Sequence, residues 1–175
     1  MTDRTISHGP RRRRARGARN LVAWTLVLAQ GALLVALAVW PAPQLATSSL
    51  PVNLAGVVVS VLGLGVVVVG SAHLGRSLTA SPVPKDAGVL RDSGMYALTR
   101  HPLYSGLLLF AGGRVLSHPS FTSAGLALGL LLLLWAKASW EEKMLRQKFP
   151  AYEAYAARVP RFVPRTASRR GPRRS

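Results

Sequence analysis

The stretch Leu21–Trp40, LVAWTLVLAQGALLVALAVW, runs for twenty residues without a charged side chain. That is about the length of apolar helix needed to cross the hydrocarbon core of a bilayer. A second uncharged run, Val52–Ala72, has the same character. Two more follow: Pro102–Leu116, which contains Arg114, and Phe121–Ala136, which continues into Lys137–Trp140. At about 1.5 Å per residue the third is short for a crossing, whereas the fourth suffices once the stem of Lys137 extends toward the headgroups. Lipid leaves backbone polar groups no solvent partner, so such segments are helical. The sequence therefore predicts an all-α integral membrane protein with about four transmembrane helices, arranged as two hairpins. PAPQLATSSLP closes the first hairpin and SHPS the second. With 175 residues the chain has room for one domain.

The charges set the orientation. If all four runs cross, residues 1–20, the segment around 75–101 and everything from 137 onward share one side. That side holds 22 of the 23 Lys and Arg residues, and all six acidic residues. The opposite loops, 41–51 and 115–120, hold none, and a three-crossing arrangement would strand the basic C-terminal cluster outside. The positive-inside rule makes the charged side cytoplasmic, with both termini inside and the protein multi-pass in the cell (inner) membrane. An uncleaved first span fits run one better than a signal peptide, since its apolar stretch is long and three more runs follow. The chain divides into a basic disordered tail (1–20), a first hairpin (21–74), a core (75–164) and a second basic tail (165–175). The tails read as topology determinants that touch anionic headgroups. No aromatic residues interleave with their arginines, so no nucleic acid is expected. There is no cysteine, which excludes disulfides and thiolate chemistry. His73 and His118 lack a ligand partner at helical spacing, so no metal is expected either. Gly56 with Ser60, and Gly125 with Gly129, are spaced for close helix approach.

Chemistry concentrates in two places. His73–His101 is long for a connector and rich in turn residues, which marks it as functional. It ends in GMYALTRHPLYSG, Gly94–Gly106. Pro102 suits the first position of a helix. The amides and dipole of that helix start, with Arg100 beside them, suit an anion such as a carboxylate. Arg100, His101 and Tyr104 are equally ordinary anchors at a membrane interface. The second place is WEEKMLRQKFPAYEAYAARVPRFVP, Trp140–Pro164. Adjacent carboxylates beside a bilayer are costly unless partnered. Glu142 with Arg146 makes an i,i+4 pair, worth about 0.3 kcal/mol. A short α-hairpin brings His101–Tyr104 and Glu141–Glu142 to one depth. That combination suits a zwitterion carrying a carboxylate, an ammonium and hydroxyls; S-adenosylmethionine is one such molecule among several.

Arg-His-Pro-x-Tyr, an apolar hairpin, Glu-Glu and then F-P-A-Y-x-x-Y-x-x-R-V-P-R-F-V-P together resemble the isoprenylcysteine carboxyl methyltransferase family and the related phospholipid N-methyltransferases. The likeness covers roughly Gly88 to Pro164. It implies an integral-membrane methyltransferase whose S-adenosylmethionine pocket lies at the cytoplasmic ends of the last two spans. The cofactor contacts it implies are Gly88, Val89, Leu90, Arg91, Tyr96, His101, Pro102, Leu103, Tyr104, Glu141 and Glu142. The catalytic candidates are Arg100, His101, Tyr104 and Glu142. Lys137 stands where the prenylcysteine enzymes carry a substrate-binding arginine, and it lacks arginine's bidentate fork. The motif after Phe149 is one residue shorter than in the eukaryotic enzymes. The expected reaction is carboxyl O-methylation of an amphipathic or lipid-like acceptor, with membrane lipids as surroundings. Phospholipid N-methylation is the alternative, and a non-catalytic membrane scaffold is the alternative of another class.

Overall fold

The computed structural model describes residues 10–40, 49–74, 90 and 92–164. The basic tails up to residue 9 and from 165, most of the loop closing the first hairpin, and the candidate residues Gly88, Val89 and Arg91 lie outside them. Among the described residues every regular element is helical: α1 (Pro10–Val39), α2 (Leu50–Leu74), a 3-10 turn (Gly94–Ala97), α3 (Pro102–Ser117), α4 (Phe121–Lys148) and α5 (Tyr152–Arg158). Helix α1 begins at Pro10, so the helix takes in part of the stretch read as an irregular tail. Proline suits a first helical turn, and the arginines and alanines after it are good helix formers.

Three helices contain segments long and apolar enough to cross a membrane: Asn20–Val39, Leu50–Ala72 and Phe121–Lys148. Only 11%, 17% and 22% of their most apolar windows are buried in the protein, so most of that apolar surface faces outward. Water would penalise such a surface, and lipid accepts it. The 16 residues of α3 extend about 24 Å, less than the roughly 30 Å core.

Helix pairing departs from two self-contained hairpins. α2 packs on α3, α1 packs on α4 and the edge of α3, and α3 packs on α4. The first hairpin is thus opened, its helices lying on different partners. The cause is a seven-residue glycine spacing. Gly56, Gly63 and Gly70 on α2 face Gly113 with Ser117, Gly106 with Phe110, and Leu103 on the antiparallel α3. A Cβ at Gly63 would sit 2.5 Å from the Phe110 nitrogen and 2.6 Å from the Gly106 oxygen. Backbones approach that closely only where side chains are missing. Ser60 lies in the same seam, its hydroxyl donating to the Gly56 carbonyl at 2.9 Å. Gly125 and Gly129 share the four-residue spacing without making such a contact. Gly125 faces open space, and a Cβ at Gly129 would meet only Leu33, at 3.7 Å.

On the other flank, Leu37 of α1, Ala111 of α3, and Leu130 and Leu134 of α4 form a buried cluster. Arg114 fastens the end of α1. Its Nε and Nη2 donate to the carbonyls of Leu37 and Ala38 at 3.2 and 3.1 Å, groups the helix cannot satisfy itself. Past α4 the chain turns at Phe149 into α5, where Tyr152, Tyr155 and Val159 pack against Leu145, Phe149 and Leu90. The Tyr155 hydroxyl donates to the Tyr96 carbonyl at 2.7 Å, tying α5 to the 3-10 turn that leads into α3.

Candidate functional site

Pro102 is the first residue of α3 and His101 its cap, as the proline predicts. What holds this helix start is the segment Pro160–Phe162, lying across it as a strap. The Arg100 amide donates to the Pro160 carbonyl at 2.9 Å, and the His101 amide donates to the Arg161 carbonyl at 3.2 Å. The Thr99 hydroxyl reaches the Arg161 carbonyl at 2.7 Å, and the Ser105 hydroxyl reaches the Phe162 carbonyl at 2.6 Å. Pro102 has no N–H, and Ser105 donates back to His101. Leu103 and Tyr104 therefore carry the first-turn amides that precede the helix's own hydrogen bonds.

The two adjacent glutamates have different surroundings. Glu142 is fully buried. Arg161 holds it with two prongs, Nε to Oε1 at 3.0 Å and Nη2 to Oε2 at 2.8 Å. Arg100 Nη1 lies 3.1 Å from Oε2, and His101 Nε2 lies 3.1 Å from Oε1. Arg146, the partner read from helical spacing, is further away at 3.7 Å. A buried carboxylate persists only with such compensation, and here both oxygens are engaged. Arg161 also donates to the Ser139 hydroxyl and lies over the Trp135 ring, 4.6 Å from its centroid. Phe162 meets Trp135 edge-on at 6.0 Å, which seats the strap on α4.

Glu141 points elsewhere and has no guanidinium partner among the described residues. The Tyr104 hydroxyl donates to its Oε2 at 3.3 Å, and His101 Nδ1 approaches that oxygen to 3.6 Å. Its side chain remains 28% exposed, so its other lone pairs are reachable. His101 lies between the two acids, one ring nitrogen toward each, and its ring stacks on Tyr104 with centroids 5.2 Å apart and planes within 1°. One helical turn before Glu141, Lys137 is buried; its ammonium donates to the Gln30 side-chain oxygen at 2.6 Å and lies 5.3 Å from the centre of the Tyr104 ring.

Arg100, His101, Tyr104, Lys137, Glu141 and Glu142 thus converge where α3 begins and α4 nears its end. Of the other candidates, Pro102 opens α3 and Leu103 contributes a first-turn amide there while its side chain turns toward Gly70 of α2. Leu90 packs into the α5 cluster, and Tyr96, held to α5 through its carbonyl, interacts electrostatically with Tyr104. Burial raises the Tyr152 and Tyr155 phenols above their usual range, so α5 presents neutral rings behind the ion network. Arg161 and Gln30 were not singled out from the sequence. A buried Glu142 needing a cation was the available signal for the first, and a lone amide in an uncharged membrane run the signal for the second.

Comparison with known proteins matches the sequence that builds this site to a family. The chain is 36% identical over 112 residues to the cobalt-zinc-cadmium resistance protein CzcN of Cupriavidus metallidurans, which covers 63% of this chain and 52% of that protein. It is 31% identical over 108 residues to the nickel-cobalt-cadmium resistance protein NccN of Alcaligenes xylosoxydans xylosoxydans, covering 61% and 51%. The chain therefore spans about half the length of these relatives. Residues 52–152, from α2 to the first residue of α5, match the phospholipid methyltransferase profile. That stretch contains the glycine seam, Arg100–Tyr104 and both glutamates, and on this match the chain belongs to the phospholipid methyltransferase family.

Proposed function

We propose that this protein is an S-adenosylmethionine-dependent membrane methyltransferase acting on an amphipathic, lipid-like acceptor. The observation that carries this reading is the division of labour between the glutamates. Glu142 spends its charge on Arg161, Arg100 and His101 and fixes the start of α3, while Glu141 keeps lone pairs free beside Tyr104 and His101. These residues fit the cofactor. Glu141 would accept from an ammonium or a ribose hydroxyl, and the Leu103 and Tyr104 amides would donate to a carboxylate. When bound, S-adenosylmethionine supplies a methyl group on a positively charged sulfur. The chain's contribution is positioning and exclusion of water, which together remove several kcal/mol from a displacement barrier. Stacked on Tyr104 and bonded to Glu142, His101 is held in one orientation, and the strap keeps that orientation from relaxing.

The same proposal places the site at the cytoplasmic face, with four crossings and both termini inside, a reading that the segregated charge supports. An acceptor carboxylate needs no general base, whereas an amine does. Carboxyl O-methylation and phospholipid N-methylation are therefore separated by product. Purified protein in detergent should bind S-adenosylmethionine in calorimetry. Glu141→Gln should weaken that binding about tenfold, the scale of one hydrogen bond to a charged group, and His101→Ala should weaken it too. Well-folded wild-type protein that binds none would end the reading and leave a scaffold that keeps the fold. Membranes incubated with methyl-labelled cofactor should then show label in phospholipid for N-methylation, or in a base-labile ester for O-methylation.

A further inference from the structure

Trp135, Ser139 and Glu142 follow one another on α4 at intervals of four and three, so they share one stripe of the helix. Arg161 touches all three. Its guanidinium lies over the Trp135 ring, donates to the Ser139 hydroxyl and grips the buried Glu142 carboxylate. Phe162 makes a second link, its ring meeting Trp135 edge-on and lying 6.0 Å from the His101 ring. The strap thus joins the ion network to a surface that is apolar and open. Trp135 is 55% exposed and Val163, beside Phe162, is 77% exposed. The place of this patch on α4 says what covers it. The uncharged run of that helix stops at Ala136 and is followed by Lys137, Glu141 and Glu142. Trp135 therefore stands where a membrane helix passes from acyl chains to headgroups, the level at which tryptophan is enriched. Water penalises an apolar patch there, and the headgroup–acyl boundary accepts it. A guanidinium over an indole is also held more firmly once the ring is shielded from water.

We propose that the exposed face of the strap, Phe162 and Val163 together with Trp135, is a docking surface for the headgroup–acyl boundary of the bilayer, and that this contact keeps Arg161 on Glu142. The partner is the lipid surface itself. The inference goes beyond the methyltransferase reading and stands without it, because it concerns the folded chain in lipid. Its consequence is that the order of the ion network depends on the bilayer. Withdrawing lipid from the patch loosens the strap, and with it the carbonyls that receive the Arg100 and His101 amides.

The lack of cysteine makes a site-specific reporter possible. Full-length Val163→Cys carries a nitrobenzoxadiazole maleimide and sits in phosphatidylcholine–phosphatidylglycerol nanodiscs. A nitroxide near the top of the lipid acyl chains should quench this label. Aqueous iodide should quench it several-fold less than the same label on Ala154→Cys, an exposed position of α5. Iodide quenching equal to that of Ala154→Cys, with no effect of the nitroxide lipid, overturns the proposal. Protection from both quenchers would mean that protein covers the face, and overturns it as well. A second variant tests the coupling to the network. Val163→Asp keeps Arg161 and the strap carbonyls, and changes only an exposed side chain. In nanodiscs it should speed hydrogen exchange of the peptide containing the Arg100 and His101 amides about tenfold, the effect of taking one valine out of an apolar layer. Ala154→Asp should leave that exchange as it is. A strap held by its hydrogen bonds alone would exchange alike in wild-type protein and Val163→Asp, and that result also overturns the proposal. Neither readout uses S-adenosylmethionine, so failure here leaves the methyltransferase reading to its own binding test.

Discussion

At the scale of single residues, the chain uses adjacent, chemically identical side chains for opposite purposes. Glu142 is compensated on both oxygens by a bidentate arginine, a second arginine and a histidine, while among the described residues Glu141 is bonded to a phenol and faces the far side of the same imidazole. The difference arises because successive helical residues lie about 100° apart, so one faces the strap and the other the mouth of the site. Removing a partner from a buried ion pair costs far more than the pair contributes. Arg161→Ala is therefore expected to destabilise the protein by about 3 kcal/mol, read as a lower midpoint of thermal unfolding in detergent. Arg161→Lys should recover part of that loss, because it restores the charge without the two-pronged fork. An unchanged midpoint for Arg161→Ala would mean that Arg100 and His101 suffice for Glu142. The convergence of His101, Tyr104 and the glutamates was legible in the sequence, since a short turn between two apolar runs forces the start of one beside the end of the other. Arg161 was not, because its partner lies 19 positions away across a turn and a helix, a separation with no periodic signature.

Among the elements, the α2–α3 seam is the tightest interface, and it shows how a motif can be present without being used. The four-residue spacing of small residues occurs at Gly56–Ser60 and at Gly125–Gly129, yet only the first is in a backbone-to-backbone contact. The discriminating signal was the seven-residue repeat Gly56, Gly63, Gly70, matched by Gly106 and Gly113 on the partner helix. A period of seven keeps one face of a helix against a neighbour over its whole length, whereas an isolated pair does not. Hydropathy located the four long helices, though not the start of α1, the end of α4 or the short α5, and their pairing depended on which faces carry no side chain. Gly63→Leu would drive a side chain into the α3 backbone at 2.5 Å. It should cost about 2 kcal/mol, within the range for overpacking, and lower the unfolding midpoint. Gly125→Leu faces open space and serves as the control, with no expected change.

For the whole molecule, the segregation of charge is the strongest statement the sequence makes about orientation, and it can be tested directly because the chain contains no cysteine. Single cysteines at Ser49, just before α2, at Thr122, at the start of α4, and at Ala154 in α5, all exposed positions, report three points along the chain without background labelling. In intact cells a membrane-impermeant maleimide should label Ser49→Cys and Thr122→Cys, and should reach Ala154→Cys only after permeabilisation. Labelling of Thr122→Cys and Ala154→Cys from the same side would rule out four crossings. The outcome bears most on α3, whose short apolar length leaves its crossing dependent on the helices that flank it.

The strap has a consequence for the order in which the protein becomes competent. Its carbonyls, at positions 160 to 162, bind the start of a helix that begins at position 102. Every helix of the bundle is therefore synthesised, and available for insertion, before the ribosome makes the residues that lock His101 in place. A nascent chain can assemble its apolar helices while its ion network still lacks Arg161, the bidentate partner of Glu142. The network is completed last, so a chain interrupted before Arg161 reaches the membrane with Glu142 still lacking its bidentate partner.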